Sequence, residues 1–172
     1  MASLIDTLID DLNKEDSQYQ KLIELSSEKT QVIVRGDLDT LQRITDDEQL
    51  IVDNINNLEK GRTTTMKEIA KILNTDVSEL KLDILISLLN KTPKEQKELS
   101  LIHDKLHDTV YQMKLLNERN SELLNNAKEM VEFNLNLIQS MRQAPETANY
   151  GKTAYNVGET LGVASGSFDA KQ

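Results

Sequence analysis

Thr92-Pro93-Lys94-Glu95 opens the stretch that decides the fold. Thr suits a helix N-cap, Pro the first helical position and Glu the third, so the four read as a capping box. Behind them come Leu99, Ile102, Leu106, Thr109, Met113, Leu116, Asn120, Leu123, Ala127, Met130, Asn134, Leu137 and Met141, alternately three and four residues apart; none of these thirteen is charged. Such a row is one face of a single helix reaching Arg142. At 1.5 Å per residue, about 50 residues make a rod of roughly 75 Å.

Two more long helices precede it. Residues 3–34 carry Ile5, Leu8, Leu12, Tyr19, Leu22 and Ile33 on one stripe, widened by Leu4, Ile9, Ile23 and Leu25. Ser3 is a candidate N-cap, with Asp6 in the first turn where the helix dipole favours an acid. Arg35-Gly36-Asp37 ends that helix and caps the next. Leu38 to Leu73 continues as Leu41, Ile44, Glu48, Ile51, Ile55, Leu58, Arg62, Thr65, Ile69 and Ile72, with apolar gaps at 48, 62 and 65. Gly61 and the β-branched Thr63-Thr64-Thr65 predict a kink or break there. After Asn74-Thr75-Asp76, a short helix is expected over Ser78–Asn90, covering one end of the bundle.

Composition excludes the alternatives. Aromatics make up 3% of the 172 residues, too few for a strand-rich sandwich or barrel. Only Gly36 and Gly61 precede residue 150, too few for a set of tight hairpins. The expected fold is all-α: an elongated antiparallel helical bundle, coiled-coil-like, with a long C-terminal helix. The expected division is a bundle over 1–142 and a flexible Gly/Ser/Ala-rich tail over 143–172, opened by Gln143-Ala144-Pro145. Tyr150, Tyr155 and Phe168 put half of all the aromatics in that tail. They have no core to explain them and are candidate docking residues.

The chemistry of sites is equally restricted. There is no cysteine, hence no disulfide, thiolate site or thiol nucleophile. No apolar run reaches the roughly 20 residues of a membrane span, and Met1-Ala2-Ser3-Leu4-Ile5-Asp6 lacks the basic start of a signal peptide. A cytoplasmic protein is the expectation. Residues 1–59 hold 14 acidic and 5 basic side chains, which accounts for the whole net charge of −9. Such a surface repels nucleic acid and anionic lipid; its simplest reading is a solvated face. Gly151-Lys152-Thr153 lacks the upstream glycine of a phosphate loop, since Glu146 stands there. His103 and His107 have the spacing of a metal pair but no third ligand beyond Asp104 and Asp108. The sequence implies no cofactor, metal, small-molecule substrate or catalytic residue.

The seam itself points to binding. Asn120 and Asn134 within it either fix register or mark a stretch only half covered. Met113, Met130 and Met141 suit a surface that adapts to a partner. Beyond Ala127 the shorter helices run out. The expected partner-binding residues are therefore Asn120, Leu123, Ala127, Met130, Asn134, Leu137, Ile138 and Met141, with Tyr150, Tyr155 and Phe168 of the tail. A self-associating coiled coil using the same seam is the alternative.

Leu58-Glu59-Lys60-Gly61-Arg62, Leu115-Leu116-Asn117-Glu118-Arg119-Asn120-Ser121-Glu122-Leu123-Leu124, Val131-Glu132-Phe133, the acidic first helix and the tail from Tyr150 to Gln172 resemble the FlgN family of flagellar export chaperones. The resemblance covers nearly the full length. It implies a cytoplasmic chaperone that binds hook-associated (hook–filament junction) proteins by a terminal segment. It would keep them from premature assembly and deliver them to the flagellar type III export apparatus, whose gate is a second expected partner, docked by the tail. A tail that folds back and shields the seam is the other possibility. A helix-in-groove mode suits this function.

Overall fold

A computed structural model describes residues 2–143 as four helices: α1 (Ala2–Arg35), α2 (Leu38–Leu73), α3 (Leu82–Leu88) and α4 (Pro93–Gln143). Among the described residues there is no strand. The chain divides into two compact units, Met1–Glu132 and Phe133–Gln172. The first contains α1 to α3 and most of α4.

Within that first unit the direction of each helix follows from its polar pairs. Glu15 and Lys29 of α1 meet Arg62 and Glu48 of α2, so these two helices run antiparallel. Asp16 and Thr30 of α1 meet Thr109 and Asn120 of α4, so α1 and α4 run parallel. The apolar core lies towards the start of α1. Ile5, Leu8 and Leu12 pack with Ile69 and Ala70 of α2, Leu80, Leu85 and Leu89 around α3, and Leu99, Ile102 and Leu106 of α4. Each of the larger side chains contributes about 2 kcal/mol by leaving water.

The turns are set by local chemistry. Gly36 adopts φ +69°, the left-handed conformation that ends α1 without a Cβ penalty. Asp37 then caps α2, accepting from the Thr40 amide at 3.1 Å. Those bonds from Thr40 hold its carboxyl below the usual carboxylate range. Asn74 closes α2, also left-handed at φ 53°.

Four expectations are corrected. Ser3 lies inside α1, which begins at Ala2, so it is not the N-cap. α2 is unbroken through 61–65. The hydroxyls of Thr63, Thr64 and Thr65 donate to the carbonyls four residues back, at 2.8, 3.0 and 3.3 Å, and Arg62 is anchored on Glu15. The back-bonds satisfy the hydroxyls inside the helix, and the packing against α1 outweighs the low helix propensity. α3 spans seven residues rather than Ser78–Asn90. Asp76 accepts from both the amide and the hydroxyl of Ser78 at 2.9 Å, an Asx turn that replaces the first helical turn. At the start of α4, Pro93 is the first helical residue as expected, but the Thr92 hydroxyl turns back to the Leu89 carbonyl at 3.4 Å.

Past Leu12 the inner face of α1 becomes polar. Asp16 accepts from Thr109 at 2.7 Å, Lys105 at 2.7 Å and Gln20 at 2.9 Å. Ser26 and Lys29 donate to the two oxygens of Glu48 at 2.6 and 2.7 Å. Glu15, only 1% exposed, accepts from Arg62 at 3.0 Å through Oε2, while Oε1 has no hydrogen-bond partner. Burial pushes the Glu15 carboxyl up to about 7; Arg62 opposes the shift, and Glu59 and Asp11 add to it.

The fold thus prefers Glu15 protonated, whereas the unfolded carboxyl titrates near 4.3. Its contribution to stability is full below that value and is lost as pH rises through about 7. Glu15→Gln should stabilise the protein at pH 8 by on the order of 2 kcal/mol and flatten its stability between pH 5 and 8. Urea unfolding across that range measures the effect. A variant with an unchanged slope would remove Glu15 as its source.

Candidate functional site

Along α4 the seam changes from covered to open. Leu99, Ile102, Leu106 and Thr109 are buried, and Met113 and Leu116 are half-buried. Asn120 is 3% exposed, and both ends of its amide bond to α1: Oδ1 accepts from Thr30 at 2.6 Å and Nδ2 donates to the Ser26 carbonyl at 2.7 Å. Asn120 is therefore buried against α1, and its two hydrogen bonds are those of a residue that fixes register. Leu123 and Leu124 are half-buried, and every side chain from Asn125 to Arg142 is exposed.

The change has a geometric cause inside the first unit. α1 ends at Arg35 beside Leu124, Ala127 and Val131, and the chain reverses through Gly36 into α2. Where α1 ends, α2 begins and α4 continues, a cleft of about 540 Å³ opens. Its floor is the buried pair Val32 and Ile33; Leu41 and Leu124 are half-buried walls, and Leu38 is 74% exposed at the lip. Lys128 and Glu132 lie on the rim, 3.8 Å apart. The cleft can take apolar side chains of a docking segment. Of the expected partner residues it is lined by Ala127. Sequence reading assigned Ile33 and Leu41 to the core stripes and passed over Val32. The available signal was the Gly36 break, which brings the last apolar residues of α1 and the first of α2 to the same end.

The second unit is described over Phe133–Gln143, all helix. Phe133, Leu135, Leu137, Ile138 and Met141 are exposed, Phe133 and Met141 at 66% and 70%. Asn134 is exposed among them. No charged residue occurs from Phe133 to Met141. Five large apolar side chains within nine residues make a patch of the kind that marks an interaction site. Met130 of the first unit is likewise 67% exposed. Tyr150, Tyr155 and Phe168 lie outside the described residues.

Both nitrogens of His103 face carboxylates, Asp83 at 3.4 Å and Asp104 at 3.1 Å. Among the described residues no group of three potential ligands could hold a metal ion, and no helix is long and apolar enough to cross a membrane.

Asn120→Ala should cost about 1–2 kcal/mol in urea unfolding, because it removes two buried hydrogen bonds to α1, the Thr30 hydroxyl keeping only the Ser26 carbonyl at 3.1 Å. Asn134→Ala should change stability by less than about 0.5 kcal/mol, as an exposed position does. Equal effects at the two positions would contradict the contrast in burial.

The family described as FlgN protein matches residues 1–157, and the chain belongs to this family of flagellar export chaperones. No curated protein and no solved structure matches it.

Proposed function

We propose that this member of the FlgN family is a cytoplasmic chaperone for hook–filament junction proteins. A terminal amphipathic segment of the cargo lies against the exposed apolar residues of α4. Ala127 and Met130 contribute in the first unit, and Leu137, Ile138 and Met141 in the second, with Asn134 supplying an amide among them. Leu123 stands half-covered at the start of this row. The observation that carries the reading is the uncharged, exposed apolar run of α4.

Occupying that run would keep the cargo segment from premature assembly, since the apolar face that α4 covers is the one assembly would use. A segment that orders on binding gives up conformational entropy and binds less tightly per area, which suits a complex that must later release. Tyr150, Tyr155 and Phe168 belong to the same proposal as the contact to the export apparatus. Aromatic side chains add large contact area with few torsions to freeze.

Leu137→Glu tests the site. Titrating the full-length chain with a purified hook–filament junction protein should show binding weakened by at least about tenfold. Circular dichroism should stay unchanged, with a melting temperature within about 2 °C, because Leu137 is exposed. Unfolding by this substitution would make the residue core, and undiminished binding would place the cargo elsewhere.

A further inference from the structure

We propose that Gly61–Thr65 is a joint of α2 that opens when Glu15 loses its proton. Several observations converge at this level of the bundle. Glu15 of α1 is 1% exposed, and its Oε1 is buried without a hydrogen-bond partner. A neutral carboxyl leaves one polar atom unpaired there; a carboxylate leaves part of a charge unpaired, which costs far more. Its ionic partner, Arg62, sits inside the run of α2 with the lowest helix propensity, where Gly61 is followed by three threonines.

The groups around Glu15 set the direction of the effect. On α1 these are Asp11, Asp16 and Tyr19, on α2 Glu59 and Arg62, and on α4 Lys105, whose ammonium is held by Asp16 at 2.7 Å. Asp11 and Glu59 oppose a negative charge on Glu15, and Arg62 favours it. The ionised carboxyl therefore gains by reaching water. The easiest route is to unwind α2 where packing against α1, not propensity, keeps it helical. The Arg62 side chain is already 28% exposed, so water lies one side chain away. The apolar core of Ile5, Leu8 and Leu12 against Ile69 and Ala70 begins one turn further along α2 and stays closed. The break that Gly61 and the threonines suggest in the sequence is thus a second state of α2, selected by the loss of one proton.

The opened state binds fewer protons, so its population grows as pH rises. A carboxyl that titrates at about 7 when buried and near 4.3 in water makes the opened population rise about tenfold between pH 6 and pH 8. The amides of Thr65–Glu68 report the opening, because in the closed helix they bond back to the carbonyls of Gly61–Thr64.

Native-state amide hydrogen exchange of the full-length chain at pH 6 and pH 8, corrected for intrinsic rates, is the test. At pH 8 the amides of Thr65–Glu68 should be at least about tenfold less protected than those of Leu8–Leu12 and Leu99–Leu106, with rates unaffected by low urea, as a local opening requires. Their protection should fall about tenfold from pH 6 to pH 8 in the native chain and by less than about twofold in Glu15→Gln. Gly61→Ala should slow their exchange about fivefold at both pH values; the added Cβ meets Asp11 Oδ2 at an ordinary 3.8 Å. Protection at Thr65–Glu68 equal to that of the core overturns the inference, as does a pH ratio that Glu15→Gln leaves unchanged. Should Glu15→Gln fail to fold, Gly61→Ala decides: slower exchange at Thr65–Glu68 sustains the joint, and unchanged exchange overturns it.

Discussion

The polar inner face of α1 holds the three long helices in one register. Apolar stripes alone permit helices to slide by a turn, because one Leu layer resembles the next. Asp16 between Thr109 and Lys105, Thr30 and the Ser26 carbonyl on Asn120, and Glu48 between Ser26 and Lys29 permit one alignment. A slip of one turn would bury a carboxylate and an amide without partners, at several kcal/mol. Asn120 thus acts as an Asn in a coiled-coil seam does, exchanging some stability for uniqueness.

What α4 leaves open follows from that alignment. With Thr30 opposite Asn120, α1 is exhausted at Arg35 beside Ala127 and Val131, and the reversal at Gly36 leaves the cleft over Val32 and Ile33. The cleft lies where helices of unequal length part: α1 and α2 have 34 and 36 residues against 51 for α4. Glu15 adds a weak point to the register, with a carboxyl oxygen buried without a partner.

Much of the helical layout was legible from punctuation. Gly36-Asp37, Asn74 and Pro93 mark the ends of long helices in the sequence, and these residues form the caps and turns. The polar register was legible only in half. The gaps at Glu48, Arg62 and Thr65 stand out in the stripe of α2, but periodicity cannot name their partners. Glu15 and Asp16 were missed because a charge beside a stripe reads as solvent-facing until the neighbouring helix is placed. The triple threonine misled in the other direction: intrinsic propensity pointed to a break, and packing against α1 overrode it. The strip after Ala127 carries the same heptad as the core before it, so pattern alone does not separate covered from uncovered positions; the end of α1 does.

Amide hydrogen exchange of the full-length chain, alone and saturated with a hook–filament junction protein, tests the central claim most directly. The account predicts added protection along α4 from Ala127 to Gln143 and around Val32, Ile33 and Leu41, with little change along the core face from Leu8 to Leu12 and from Leu99 to Leu106. Protection confined to the core helices, with Ala127–Gln143 exchanging as fast as in the free chain, would contradict it.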